Sequence, residues 1–274
     1  GASARTVPTT EELWMALNQG KIRQAMMDAP KAARRARAFH WPLEFPDVMQ
    51  RGGFDVVLGN PPWEVMQLAD KEYFAARKPE LAALAGAARK KAIDNLQRTD
   101  PELFQEFAVE KRSFDAGNEF ARESGRFDLT ARGKVNSYSL FAELFANLSR
   151  LGAGIIVPTG IATDAGNAPF FSSLVDGKRL SSLLDFENRA GLFPAVHSAM
   201  KFSLLTLGKN ITQARFSFFL RHTHELAEQE RSFNLAPEEI GILNPNTKSA
   251  PIFRSKADAE LTLKAYRAAS VMVT

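Results

Sequence analysis

Four consecutive residues, Asn60-Pro61-Pro62-Trp63, carry the clearest chemistry in this sequence, and they directly follow the run Phe54-Asp55-Val56-Val57-Leu58-Gly59. The residue before a proline is driven out of the helical region into extended geometry. Two prolines in series then fix φ and stiffen the next few backbone atoms. The Asn60 carboxamide oxygen and the Pro61 carbonyl are thereby held as hydrogen-bond acceptors where a strand ends. Trp63 adds a flat apolar face beside them. Such a corner suits a planar ring bearing an NH2 group, because the acceptors take the amine while the indole stacks on the ring. A nucleobase has that shape. In open α/β sheets ligands collect outside the carboxyl ends of strands, which favours this reading over an ordinary strand-ending turn.

The elements that must position this corner follow from periodicity. Residues 54–58 read as a short buried strand. Residues 137–150 form an amphipathic helix with Leu140, Phe141, Leu144, Phe145 and Leu148 as the expected core face. Gly152-Ala-Gly154 reads as a turn into the strand Ile155-Ile156-Val157, which Pro158 stops. A short helix near 167–176, a strand at 180–186, a loop through Phe193-Pro194 and a strand at 202–207 follow. Helix and strand alternate, which predicts an α/β sheet flanked by helices. Residues 68–125 are rich in Ala, Lys, Glu and Arg and read as a helical insertion. Residues 9–38 read as one helix, with Thr10 as cap and Glu11 and Glu12 in its first turn. Its basic end, Lys31, Arg34, Arg35 and Arg37, reads either as a solvated face or as a contact for nucleic-acid phosphates. Phe216–Leu220 could add a strand, and residues 225–274 mix helical segments with a turn at Asn244-Pro245-Asn246.

Composition narrows the chemistry. The 274 residues are 45% hydrophobic and 24% charged, which suffices for one sizeable core. No run of about 18 apolar residues exists, and no secretory signal is visible, so a cytoplasmic location is expected. The chain starts with Gly rather than Met, from which a missing natural N-terminus is expected. Cysteine is absent, which removes thiolate metal sites and cysteine nucleophiles. A net charge of +4 suits a polyanionic partner without requiring one.

Taken together, these motifs resemble the S-adenosylmethionine-dependent DNA amino-methyltransferases of restriction–modification and phage-defence systems. The resemblance is strongest to the N6-adenine enzymes whose target-recognition domain follows the catalytic domain. In that family an Asn-Pro-Pro-aromatic tetrad ends the fourth strand. Asn136-Ser-Tyr138-Ser-Leu-Phe141-Ala-Glu143 is similar to the helix before strand five, and Gly154-Ile-Ile-Val-Pro158-Thr-Gly to strand five itself. Leu192-Phe193-Pro194 with Lys201-Phe-Ser-Leu-Leu-Thr-Leu is similar to the final hairpin. The resemblance implies a Rossmann-like class I methyltransferase fold, a three-layer αβα arrangement whose mixed sheet has an antiparallel last strand. It implies Asn60, Pro61, Pro62 and Trp63 as catalytic residues, Trp63 and Phe193 as stacking partners of a flipped adenine, double-stranded DNA as partner and S-adenosylmethionine as cofactor. The family's glycine-rich cofactor loop and ribose-binding acid are not found. The expected organisation is therefore an N-terminal helical segment (1–38), the second half of a catalytic domain (39–215, with an insertion at about 68–128) and a connector (216–274). The first half and a downstream target-recognition domain are expected as missing partners. Glu44-Phe45, upstream of Asn60, is similar to the motif at the cofactor's adenine edge, and equally fits a loop acid beside a core Phe.

Weaker candidates have ordinary readings beside them. His222 and His224 share a face if extended, but lack a third metal ligand. His197 reads as a residue near the base or a surface histidine. Asp185 and Glu187 read as the end of a strand with no reason for raised pKa values, and Asn188 and Arg189 either touch nucleic acid or do not. RNA-base and protein-glutamine methyltransferases share the tetrad. A nucleic-acid-binding fragment without activity is the alternative from another class. A dehydrogenase reading fails for want of a glycine fingerprint.

Overall fold

The computed structural model describes residues 10–22 and 24–269. The chain divides into two compact units, residues 1–52 and 53–274.

The first unit holds α1 (Thr10–Gln19), α2 (Gln24–Arg35), α3 (Trp41–Glu44) and α4 (Pro46–Gln50). One helix was expected across 9–38. Two are present, and Gly20 stands between them at φ +67, a conformation that leaves the helix. The side chain of Thr10, expected as the cap, lies outside the described residues. Phe39, Trp41 and Phe45 cluster, with Trp41 and Phe45 stacked at 5.7 Å.

The second unit is a six-stranded mixed sheet with helices. Its strands are β1 (Phe54–Gly59), β2 (Ser149–Pro158), β3 (Leu180–Glu187), β4 (Lys201–Leu207), β5 (Ala214–Leu220) and β6 (Phe233–Leu235). They lie in the order β1-β2-β4-β3-β5-β6. β1 and β2 are parallel, as are β3 and β5, while β4 runs antiparallel between β2 and β3. The carboxyl ends of β1, β2, β3 and β5 therefore share one edge, and β4 begins there. Four helices fill the expected insertion: α5 (Asp70–Arg77), α6 (Pro79–Ala82), α7 (Gly86–Thr99) and α8 (Pro101–Glu123). They bury Tyr73, Phe74, Leu81, Ile93, Leu96 and Phe107 in a core of their own. The remaining helices are α9 (Ser137–Leu148), α10 (Gly160–Thr163), α11 (Ala168–Asp176), α12 (Pro237–Leu243) and α13 (Lys256–Ala268).

Strand alternation sorts the sheet into two faces. Ile155, Val157, Leu183, Leu205 and Phe216 join Tyr138, Ala142 and Ala146 of α9, Phe170, Phe171 and Leu174 of α11, Ile240 of α12 and Leu263 of α13 in the main core. Ile156, Leu184, Phe186, Phe202 and Leu204 form a second cluster, closed by Trp63, Phe193 and Leu226 from loops and a 3-10 turn.

Three expectations are corrected here. The stretch expected as a connector (216–274) is part of the domain over its described residues, 216–269: β5 and β6 extend the sheet, and α12 and α13 supply buried residues to the main core. Gly152 and Gly154 lie inside β2 rather than in a turn. A Cβ at Gly152 would meet the Leu207 carbonyl oxygen at 2.8 Å, and one at Gly154 the Leu58 side chain at 2.7 Å. Phe141 is 36% exposed, because α9 turns Tyr138, Ala142 and Ala146 toward the sheet. On the same helix Glu143 is buried, and its carboxylate accepts from Thr130 Oγ1 at 2.6 Å, Thr130 N at 3.0 Å and Leu129 N at 3.3 Å. These bonds dock the segment after α8 onto α9.

Candidate active site

The corner sits at the carboxyl end of β1. Gly59, its last residue, has no room for a side chain, since a Cβ there would meet the Phe145 ring at 2.7 Å. The next residue, Asn60, is exposed, while Pro61 is buried beneath it. Among the described residues no donor takes the Asn60 carboxamide or the Pro61 carbonyl. Pro62 differs: its carbonyl accepts from Ser137 Oγ at 2.7 Å. Ser137 Oγ also accepts the Glu64 N–H at 3.0 Å, and Ser137 N–H donates to Glu64 O at 2.8 Å. Val65 then bridges Asn136, and the Asn118 side chain of α8 donates to Met66 O. The first turn of α9 and the insertion thus clamp the chain just after the tetrad, so the two free acceptors stand on a braced backbone. Ser137 is a positioning residue that sequence reasoning missed.

Trp63 is half-buried and reaches both clusters. Its Nε1–H donates to Ile156 O of β2 at 3.3 Å, and its ring stacks on Phe202 at 6.3 Å and 27°. Phe193 is brought to it as expected from their pairing, but edge-on, at 6.1 Å and 78°. Two rings that sandwich a planar group must lie parallel, and these two do not. Phe193 is held by Asn188, which is 1% exposed. The Asn188 Nδ2 donates to Phe193 O at 2.9 Å and Val196 O at 2.8 Å, and Oδ1 accepts Phe193 N–H at 2.9 Å. Asn188 is therefore unavailable to a ligand. Arg189 beside it is exposed.

Asp185 and Glu187 have separate environments. Asp185 is 2% exposed and accepts from Thr159 Oγ1 and from Ser203 Oγ at 3.1 Å. Burial raises its pKa above the ordinary carboxylate value, and these bonds only partly oppose the shift. The shift was not foreseen, although Asp185 shares a strand face with Leu183, which is buried in the main core. An acid whose folded pKa is raised contributes stability in full below its unfolded pKa, and loses it as pH rises through the folded value. Asp185→Asn keeps acceptors for both hydroxyls and carries no charge at any pH. The melting temperature of the variant is expected to gain on the wild type as pH rises from about 3 toward neutral. Parallel pH profiles of the two proteins, followed by circular dichroism, would remove Asp185 as the cause.

The other candidates are placed as follows. Glu44 and Phe45 lie in the first unit, Glu44 closing α3 and Phe45 stacked on Trp41. His222 and His224 stack on each other at 5.2 Å, with His224 in a 3-10 turn. Among the described residues no group of three or more His, Asp or Glu is placed to hold a metal. His197 is exposed, its Nδ1 accepting the Ala199 N–H at 3.1 Å. No helix among the described residues is long and apolar enough to cross a membrane. S-adenosylmethionine would need a backbone cradle at a strand end and an acid for its ribose. The glycines at the ends of β1 and β2 offer no cradle, because Gly59 faces the Phe145 ring and Gly160 the Asp164 carboxylate. The ends of β1 and β2 by themselves do not fit that cofactor.

Comparison with known proteins adds the following. The chain is similar to a type I restriction enzyme modification subunit from Vibrio vulnificus, with 14% identity, 69% of this chain and 35% of that chain covered, and a TM-score of 0.38. It is also similar to a type I restriction-modification methyltransferase subunit from Streptococcus thermophilus, with 13% identity, 78% and 40% covered, and a TM-score of 0.43. The chain thus spans well under half the length of either. No curated protein matches it. Residues 8–108, which contain the whole Asn60–Trp63 corner, match the family model of the Eco57I restriction-modification methylase, the same restriction–modification class that the motifs resemble.

Proposed function

We propose that this chain carries the target-amine side of a DNA adenine-N6 methyltransferase site in a cytoplasmic restriction–modification or related defence system. The observation that carries the reading is the exposed Asn60 carboxamide and the adjacent Pro61 carbonyl at the end of β1, neither hydrogen-bonded among the described residues. The match of residues 8–108 to a restriction-modification methylase model supports it.

On this reading the target adenine leaves the duplex, since its amine is unreachable in the stack. Trp63 takes one face of the base and the edge of Phe193 contacts its rim. An aromatic stack of this kind is worth about 1–3 kcal/mol, which offsets much of the unstacking cost. An adenine amine is a poor nucleophile because its lone pair is delocalised into the ring. The Asn60 oxygen and the Pro61 carbonyl accept its two N–H bonds, draw the nitrogen toward tetrahedral geometry and localise the lone pair. Because Ser137 and the double proline brace both acceptors, little reorganisation is needed when the amine arrives. S-adenosylmethionine is the proposed methyl donor, and Glu44 and Phe45 are the residues proposed for its adenine edge. Val56 and Leu58 stand 58% and 75% exposed on edge strand β1, which supports further chain packing there. A downstream target-recognition domain is the second proposed partner.

The test is methyl transfer by the product of the full reading frame, offered duplex DNA, tRNA and protein together with S-adenosylmethionine tritiated in its methyl group. Label recovered as N6-methyldeoxyadenosine is the expected result. Label in tRNA or on glutamine would select a sister enzyme class, and DNA binding without transfer would select a binding fragment.

A further inference from the structure

Beyond the corner, the same sheet edge carries a cluster of cations that the amine site does not use. Glu187 closes β3, and its side chain is 12% exposed. Three cations converge on that single carboxylate: Arg189 Nε at 3.1 Å, Arg221 Nε at 3.4 Å and Lys201 Nζ at 3.7 Å. Their own side chains remain 64%, 52% and 45% exposed respectively. A fourth joins through Phe219, whose ring lies 5.2 Å from Lys201 Nζ and 4.6 Å from the Arg254 guanidinium carbon. Phe219 sits at φ +61, a backbone conformation rare for an aromatic residue, where the β3–β5 register shifts. The ring that brackets Lys201 and Arg254 is thereby fixed by the sheet.

Glu187, together with the buried Asp185 that interacts with Lys201, gives at most two carboxylates to four cations, so the rim keeps a local positive excess. Glu187 acts as a shared anchor that holds flexible arginines at set positions while leaving their remaining N–H groups outward. Free guanidinium forks held in this way match phosphate oxygens. The rim also has a defined relation to the aromatic corner. Glu187 pairs with Lys201 in register directly after Phe186 with Phe202, and Phe202 is the ring on which Trp63 stacks. The two pairs are neighbours along the strands, about 3.4 Å apart, and their side chains leave opposite faces of the sheet at the same edge.

We propose that Arg189, Lys201, Arg221 and Arg254 form a phosphate-binding rim for the backbone of the DNA strand whose base enters the Trp63 corner. The choice of duplex DNA as ligand rests on the function proposed above; the rim itself rests on its geometry. For each phosphate that the rim ceases to neutralise, the slope of log Kd against log salt should fall by about 0.9. The experiment measures binding of a fluorescein-labelled duplex by anisotropy over a range of KCl concentrations. It compares the wild type with the combined variant Arg189→Gln, Arg221→Gln, Arg254→Gln, and with a control that neutralises Lys90, Lys91 and Arg98 on α7. The rim variant is expected to lose roughly two to three units of slope, the control clearly less, with thermal unfolding of both still cooperative. An unchanged slope in the rim variant overturns the proposal, as does an equal loss in the control, or a loss seen with duplex RNA and not with DNA. Methyl transfer is scored separately. Transfer with an unchanged slope sinks the rim alone, whereas rim-dependent binding without transfer sinks the methyltransferase reading alone.

Discussion

Asn60→Ala is expected to lower methyl transfer by the full-length gene product on the order of 10²–10³-fold or more, while leaving its melting temperature nearly unchanged. The rate expectation follows from the loss of one preorganised hydrogen-bonding group at a reacting centre. Without the carboxamide oxygen the adenine amine keeps one acceptor, the Pro61 carbonyl, and its lone pair stays delocalised. The stability expectation follows from geometry. Asn60 is exposed and makes no hydrogen bond among the described residues, so its truncation opens no cavity and strands no partner. Substitutions of that kind usually lie within about 0.5 kcal/mol of neutral. The two measurements together separate a chemical role from a structural one. Equal loss of activity and of cooperative unfolding would mean that Asn60 builds the corner rather than works in it, and unchanged kcat would refute its assignment outright.

The corner was legible in the sequence for a local reason. Proline chemistry fixes the backbone regardless of what surrounds it, so Asn60-Pro61-Pro62-Trp63 announces its geometry without help from distant residues. The helix beginning at Ser137 was legible from its own periodicity, and so was the strand before the corner, but not its burial. Expected as buried, β1 is an edge strand with Val56 and Leu58 58% and 75% exposed, because edge position is set by which strands pair and not by the segment itself. What could not be read depends on contacts far apart in the chain. Gly152 and Gly154 look like turn residues by composition. Their place inside β2 is dictated by the Leu207 carbonyl and the Leu58 side chain, each more than fifty residues away. The connector expected after 215 becomes part of the sheet because Phe216 and Phe218 find Phe233 across β5 and β6. Asn188 was read as a residue that does or does not touch nucleic acid, and its burial follows from a loop that folds back at Val196. The division near residue 52, in place of the boundary expected at 38, carries no local signal beyond Gly52-Gly53. There Gly53 lies at φ +111, and a Cβ would collide with the Leu148 carbonyl.

Trp63 is the residue at which scaffold and site compete, and its replacement by alanine is expected to damage both. The indole joins two clusters on opposite faces of the sheet, donates to Ile156 O and stacks on Phe202. Removing a buried aromatic costs about 3–5 kcal/mol. Because Trp63 is only half-buried, the lower end, about 3 kcal/mol, is expected, or roughly 6–12 °C in melting temperature for a unit of this size. Phe202 stacks on the indole, and any face that Trp63 offers to a base disappears with the side chain. Enhancement of 2-aminopurine fluorescence at the target position should therefore vanish in Trp63→Ala, even at temperatures where the variant is fully folded. Trp63→Phe separates the two roles. It keeps an aromatic face and gives up the bond to Ile156, at about 1 kcal/mol, so it should melt near the wild type and retain much of the enhancement. If Trp63→Ala flips the base as well as the wild type does, the indole is a structural ring. Phe193, held edge-on by Asn188, would then be the remaining aromatic contact for the base.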